Sequence, residues 1–148
     1  MSNEFDPEEF LSGSIEGTNS TAYIPCPTGE YQAIVDGLKP RPWSKEGRSG
    51  VYLDVLWRIE DPIVLEALDR DKVIVTQSIP LEFDANSKVS TKAGSNVPLG
   101  KLREALNLNI LGQPFAFTQL IGQFARVKVK HDVYRGEIQA KVEAVSRL

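Results

Sequence analysis

Cysteine and histidine occur once each in this chain, as Cys26 and His131. One thiol excludes an internal disulfide framework, and one thiol with one imidazole cannot assemble a zinc site from Cys and His ligands. Metal chemistry would have to rest on carboxylates alone. No apolar run approaches the ~20 residues of a membrane-spanning helix. Residues 1–11 are acidic and lack the basic and apolar segments of a secretory signal, so a cytoplasmic location is expected. The first thirty residues hold no Lys or Arg, but carry Glu4, Asp6, Glu8, Glu9, Glu16 and Glu30, a local charge of −6 against −3 for the whole chain. From Asn86 onward ten basic residues face four acidic ones. This asymmetry points to an acidic arm and a body that meets a polyanion.

What is present fits one globular domain. At 148 residues, with 41% apolar and 25% charged residues, the chain can bury roughly 68 to 70% of the surface its unfolded state exposes. Asp6, Pro7 and Glu9 form a helix start ahead of Phe10 and Leu11. The stretch 12–28, rich in Gly, Ser, Thr, Asn and Pro, has no sustained period and reads as an extended arm. Residues 1–28 are therefore expected to form an acidic arm with a short helix, and residues 29–148 the domain.

Within the domain, residues 30–38 are strand-like, and Val51, Leu53, Val55, Trp57 and Ile59 alternate with polar neighbours at period two. Residues 62–68 suit a short helix and 72–79 a β-branched third strand. Leu99, Leu102, Ala105 and Leu106 share one face of a helix over 99–108, and residues 118–121 suit one further turn. Alternation at 125–130 and 138–144 gives two final strands. Three strands, a main helix and two strands make the order of a mainly β fold, a five-stranded OB-like partly open barrel with its main helix between strands three and four. An open β-sandwich and an SH3-like barrel share much of this pattern.

Catalytic patterns fail on inspection. Gly94 to Lys101 looks like a phosphate-binding loop, but five residues separate its glycines instead of four, and Leu102 stands where a magnesium-binding Ser or Thr is required. Cys26, between Pro25 and Pro27, has no adjacent cation to stabilise a thiolate and reads as an inert, half-buried thiol. Asp54, Glu60, Asp61, Asp69 and Asp71 fall on strand exteriors or helix ends, the ordinary place of solvated acids. Neither an enzymatic activity, nor a metal, nor a cofactor is expected.

The connections between paired strands carry the chemistry. Residues 39–50 read as a loop holding Lys39, Arg41, Trp43, Lys45 and Arg48, and residues 131–136 as a second holding His131, Tyr134 and Arg135. Cations attract a phosphate backbone and exposed rings give any base a stacking face; single-strand binders combine the two. In an OB barrel these connections flank the ligand groove. Tyr52 and Arg58, opposite the inward Trp57, and Lys128 and Lys130 on the fourth strand complete the expected nucleic-acid-binding set. Trp57 itself belongs with Val55 and Ile59 in the core.

The segments Phe5-Asp6-Pro7-Glu8-Glu9-Phe10-Leu11, Pro27-Thr28-Gly29-Glu30-Tyr31, Trp57-Arg58-Ile59-Glu60-Asp61-Pro62, residues 96–106 and residues 125–131 resemble those of small early-region proteins of tailed bacteriophages, a group similar to phage single-stranded-DNA-binding proteins with OB folds. The resemblance implies a non-enzymatic protein of phage DNA replication or recombination in the host cytoplasm, with single-stranded DNA as its ligand. The chain departs from many such binders in ending without an acidic tail; the acidic, Phe-bearing arm is the expected substitute for capturing replication or recombination proteins. Two rival classes are a virion or assembly component using the barrel as a protein-binding module, and a nuclease with paired carboxylates converging on magnesium.

Overall fold

A computed structural model describes residues 4–148. Five strands, β1 (Gly29–Lys45), β2 (Arg48–Ile59), β3 (Ile74–Leu81), β4 (Phe124–Tyr134) and β5 (Glu137–Ser146), form a closed barrel in the order β1-β2-β3-β5-β4. The helices are α1 (Pro7–Ser12), α2 (Pro62–Leu68) and α3 (Val97–Ala105), with a 3₁₀ turn over Phe117–Leu120. The fold is a mainly β, OB-like barrel with its main helix between β3 and β4. All neighbours are antiparallel except β3 and β5, whose parallel seam rests on one residue pair, Thr76 with Lys141. The expected partly open barrel is thus closed, but thinly.

Period-two alternation produces the core directly. Leu53, Val55, Trp57 and Ile59 of β2 are buried, as are Val75 and Ile79 of β3 and Ala125, Val127 and Val129 of β4. Leu99 and Leu102 of α3, with Leu106 at its C-cap, add to this core. Asp6 caps α1 by accepting from the amides of Glu8 and Glu9. No described helix is long and apolar enough to cross a membrane.

Both stretches read from sequence as loops are strand. β1 runs on to Lys45 and β2 starts at Arg48, so residues 39–50 form the outer half of a long hairpin. Its turn is Glu46-Gly47, with φ of 52° and 76°. β4 likewise runs to Tyr134, and Arg135-Gly136 turns with φ of 51° and 78°. Positive φ at both central residues is the type I′ geometry, whose twist matches that of paired strands. A bulge between Val35 and Gly37 leaves Asp36 as the extra residue. Such a bulge bends its strand, and just before it, beyond Ile34, β1 stops pairing with β4 and continues with β2 alone. Pro40 and Pro42 lie on this half-paired segment, and Pro80 lies on β3 beyond the single contact with β5. All three strand prolines therefore fall where the strand has one partner, the position that tolerates a missing N–H.

The arm is tied to the barrel at its end. Cys26 is fully within the core, not half-buried, and burial pushes its thiol up to about 11. Arg70 donates to the Ile24 carbonyl at 2.7 Å, and the Tyr31 hydroxyl to that of Pro27 at 2.9 Å. His131 Nε2 lies 2.7 Å from the Cys26 carbonyl; because a carbonyl only accepts, this nitrogen carries the proton.

Candidate nucleic-acid interface

The register of the first hairpin collects one chemistry on one face. Lys39, Arg41, Trp43 and Lys45 alternate along β1, and their cross-strand partners are Asp54, Tyr52, Gly50 and Arg48. Residues directly opposite in an antiparallel pair project to the same side, so four cations and two rings share this surface. The Arg41 guanidinium lies 4.8 Å from the Tyr52 ring centroid, and the Trp43 ring is 6.3 Å from Tyr52. The indole lies over Gly50 so closely that a Cβ there would come within 2.6 Å of Trp43 Nε1. Glycine is thus what lets Trp43 lie flat against the hairpin.

Asp54 holds this row in place. It is buried, not solvated as expected for a strand exterior, and accepts from Arg41 at 3.1 and 3.4 Å and from the Ser78 hydroxyl at 2.7 Å. Burial alone would raise its pKa, but the hydrogen bonds from Arg41 and Ser78 and the Arg41 charge outweigh it and hold the carboxyl below its usual value. A depressed carboxyl stabilises the fold above its unfolded pKa of about 3.9, and that stabilisation disappears as pH falls through the lower folded value. Asp54→Asn is therefore expected to cost on the order of 1 kcal/mol at pH 7 and to narrow the stability gap to wild type near pH 3. Urea midpoints at both pH values measure this; an equal loss at both would show that its charge is not involved.

The second hairpin supplies the opposite wall. Arg41, Thr76, Ser78, Tyr134, Gln139, Ala140 and Lys141 line a groove of about 550 Å³ across the β3–β5 seam. Tyr134 stands on its rim with the Arg135 guanidinium 5.2 Å from its ring centroid. Each hairpin therefore presents an arginine stacked on a tyrosine, one on either side of a polar floor. Lys130 and Lys141 are cross-strand neighbours that share Asp132, at 3.9 and 3.8 Å.

Several of the residues singled out from sequence lie elsewhere. His131 is occupied with the arm and not with the groove. Arg58 sits at the far end of β2, bound to Asp36 at 3.0 Å and Glu60 at 3.2 Å. Asp36 also takes Lys72 at 2.9 Å, and the hydrogen bond from Lys72 is the main reason that its carboxyl is held below its usual value. Lys128 is cross-strand from Glu30 and pairs with Glu143 at 3.6 Å. The sequence reading missed Thr76, Ser78, Gln139 and Lys141. Their signal was alternation: Thr76 and Ser78 interleave with buried Val75 and Ile79, and Lys141 precedes buried Val142. Only the parallel pairing of β3 with β5 brings them together.

No protein-family model matches the chain, and no curated protein sequence matches it significantly.

Proposed function

We propose that this protein is a non-enzymatic single-stranded-DNA-binding protein that acts in phage DNA replication or recombination in the host cytoplasm. The observation that carries the reading is the groove between the hairpins, walled by Arg41 and Tyr134 and edged by Lys141 over a floor of Thr76 and Ser78. Lys39, Lys45 and Arg48 extend the cationic track along the first hairpin, with Tyr52 and Trp43 as rings beside it. A single strand offers unstacked bases to such rings while its phosphates follow the cations. A duplex keeps its base faces stacked inside and offers such rings only the edges of its bases.

The test is a fluorescence titration of the purified chain with single- and double-stranded oligonucleotides over a range of salt. With roughly four phosphate contacts, log affinity is expected to fall against log salt with a slope near −3, at about −0.7 per contact. Single strands are expected to bind more tightly at every salt concentration. Binding that ignores salt, or equal affinity for duplex, would remove the reading.

A further inference from the structure

Two acids pair with cations of the groove, and they are held in opposite ways. Asp54 is buried and takes hydrogen bonds from Arg41 and Ser78, which makes it a fixed part of the wall. Asp132, on the second hairpin, is not. Its carboxylate oxygens lie 3.9 Å from Lys130 Nζ and 3.8 Å from Lys141 Nζ, distances at which charges attract but no hydrogen bond forms. All three side chains are 41 to 45% exposed, so water and ions reach the cluster.

The strand register accounts for the acid. Lys130 and Lys141 stand directly opposite each other on β4 and β5, and like charges in that relation destabilise a sheet. Asp132, two residues along β4 from Lys130, projects to the same side and sets one negative charge against two positive ones. Half of the lysine charge stays unneutralised. Tyr134 comes next on that face, and Lys141 lines the groove with it. A phosphodiester is a better partner for this pair than the carboxylate at its present distance. It brings a full negative charge and free oxygens that can accept from both ammonium groups, and charge-assisted bonds of that kind are roughly twice as strong as neutral ones.

We infer that Lys130 and Lys141 form a phosphate site for the single strand, and that Asp132 occupies it in the free protein as an internal competitor that the strand displaces. The inference rests on the DNA-binding reading above and adds a brake to it: Asp132 holds down the affinity of the site it belongs to.

Titration of the full chain with a thymidine oligonucleotide at low salt tests this through Asp132→Asn. Glu137→Gln is the matched control. It removes the same charge from the same hairpin, where Glu137 stands opposite Tyr134 and has no ion-pair partner among the described residues. Both variants repel DNA less, but only Asp132→Asn also frees the lysines from two exposed ion pairs, so it should bind about three- to tenfold more tightly than Glu137→Gln. In a chain that also carries Lys130→Gln and Lys141→Gln, that advantage should vanish. Thermal melts confirm that each variant is folded. If wild type binds but Asp132→Asn is no tighter than Glu137→Gln, or keeps its advantage without the lysines, the inference is overturned and DNA binding stands. If neither wild type nor any variant binds, both fall together.

Discussion

Replacing Tyr134 with alanine is expected to weaken single-stranded-DNA binding by about 1 to 3 kcal/mol, the usual worth of one base stacked on an aromatic ring. That range corresponds to a fall in affinity of roughly five- to 150-fold. Stability should hardly change, because the ring is 53% exposed and is not among the aromatic or aliphatic side chains that build the core. Tyr134 is the cleaner probe of the two hairpins. Trp43 is packed over Gly50 and beside Tyr52, so removing it would disturb the hairpin surface together with any base contact. Titration of Tyr134→Ala beside a thermal melt separates the outcomes: a folded variant that binds like wild type would show that no base stacks there.

Trp57→Ala should have the largest effect on stability, about 3 to 5 kcal/mol in chemical denaturation. The indole is fully buried within a core made chiefly of Val, Leu and Ile, where no side chain of similar size can fill the space it leaves. Its Nε1 also donates to Gln77 Oε1 at 2.9 Å, so truncation strips a half-buried amide of its donor as well as opening a cavity. Against the 5 to 15 kcal/mol that usually separates folded from unfolded domains, such a loss brings the barrel close to unfolding at physiological temperature. Trp57→Phe should lose less, since it keeps most of the apolar volume and gives up chiefly the bond to Gln77. A loss below about 1 kcal/mol for the alanine variant would contradict the packing described here.

The contrast between these two residues shows how far the sequence could be read. Trp57 sits in unbroken alternation, and period two alone assigns it to the interior. The same signal located the strands and, with the helical spacing of the leucines in α3, the order of the elements. Residues 39–50 resisted because two prolines, a tryptophan and several glycines and serines imitate a loop. Those prolines are tolerated only because β1 has left β4 by that point, which is a property of the tertiary arrangement. The turns were equally hard to see. Glu46-Gly47 and Arg135-Gly136 lack the Asn or Asp that normally announces a type I′ hairpin, and a charged residue instead takes the left-handed position. Of the candidate site, the two hairpins were legible as carriers of cations and rings. The groove floor was not, since it is made by strands far apart in sequence, and neither was the diversion of His131, whose partner is a backbone carbonyl 105 residues away.

The placement of Pro40, Pro42 and Pro80 has a consequence for how copies of the protein can crowd. Long hairpins that project from a barrel expose unpaired backbone, and two such edges brought side by side can zip into a continuous intermolecular sheet, the first step toward insoluble aggregate. Proline interrupts that ladder because it offers no amide hydrogen to the incoming strand. Copies brought to high local concentration would set these hairpins beside one another, where fusion of edges is the main hazard. Pro40 and Pro42, which disguise strand as loop in the sequence, and Pro80 with them would then keep neighbouring molecules separable, so that contacts between them run through side chains.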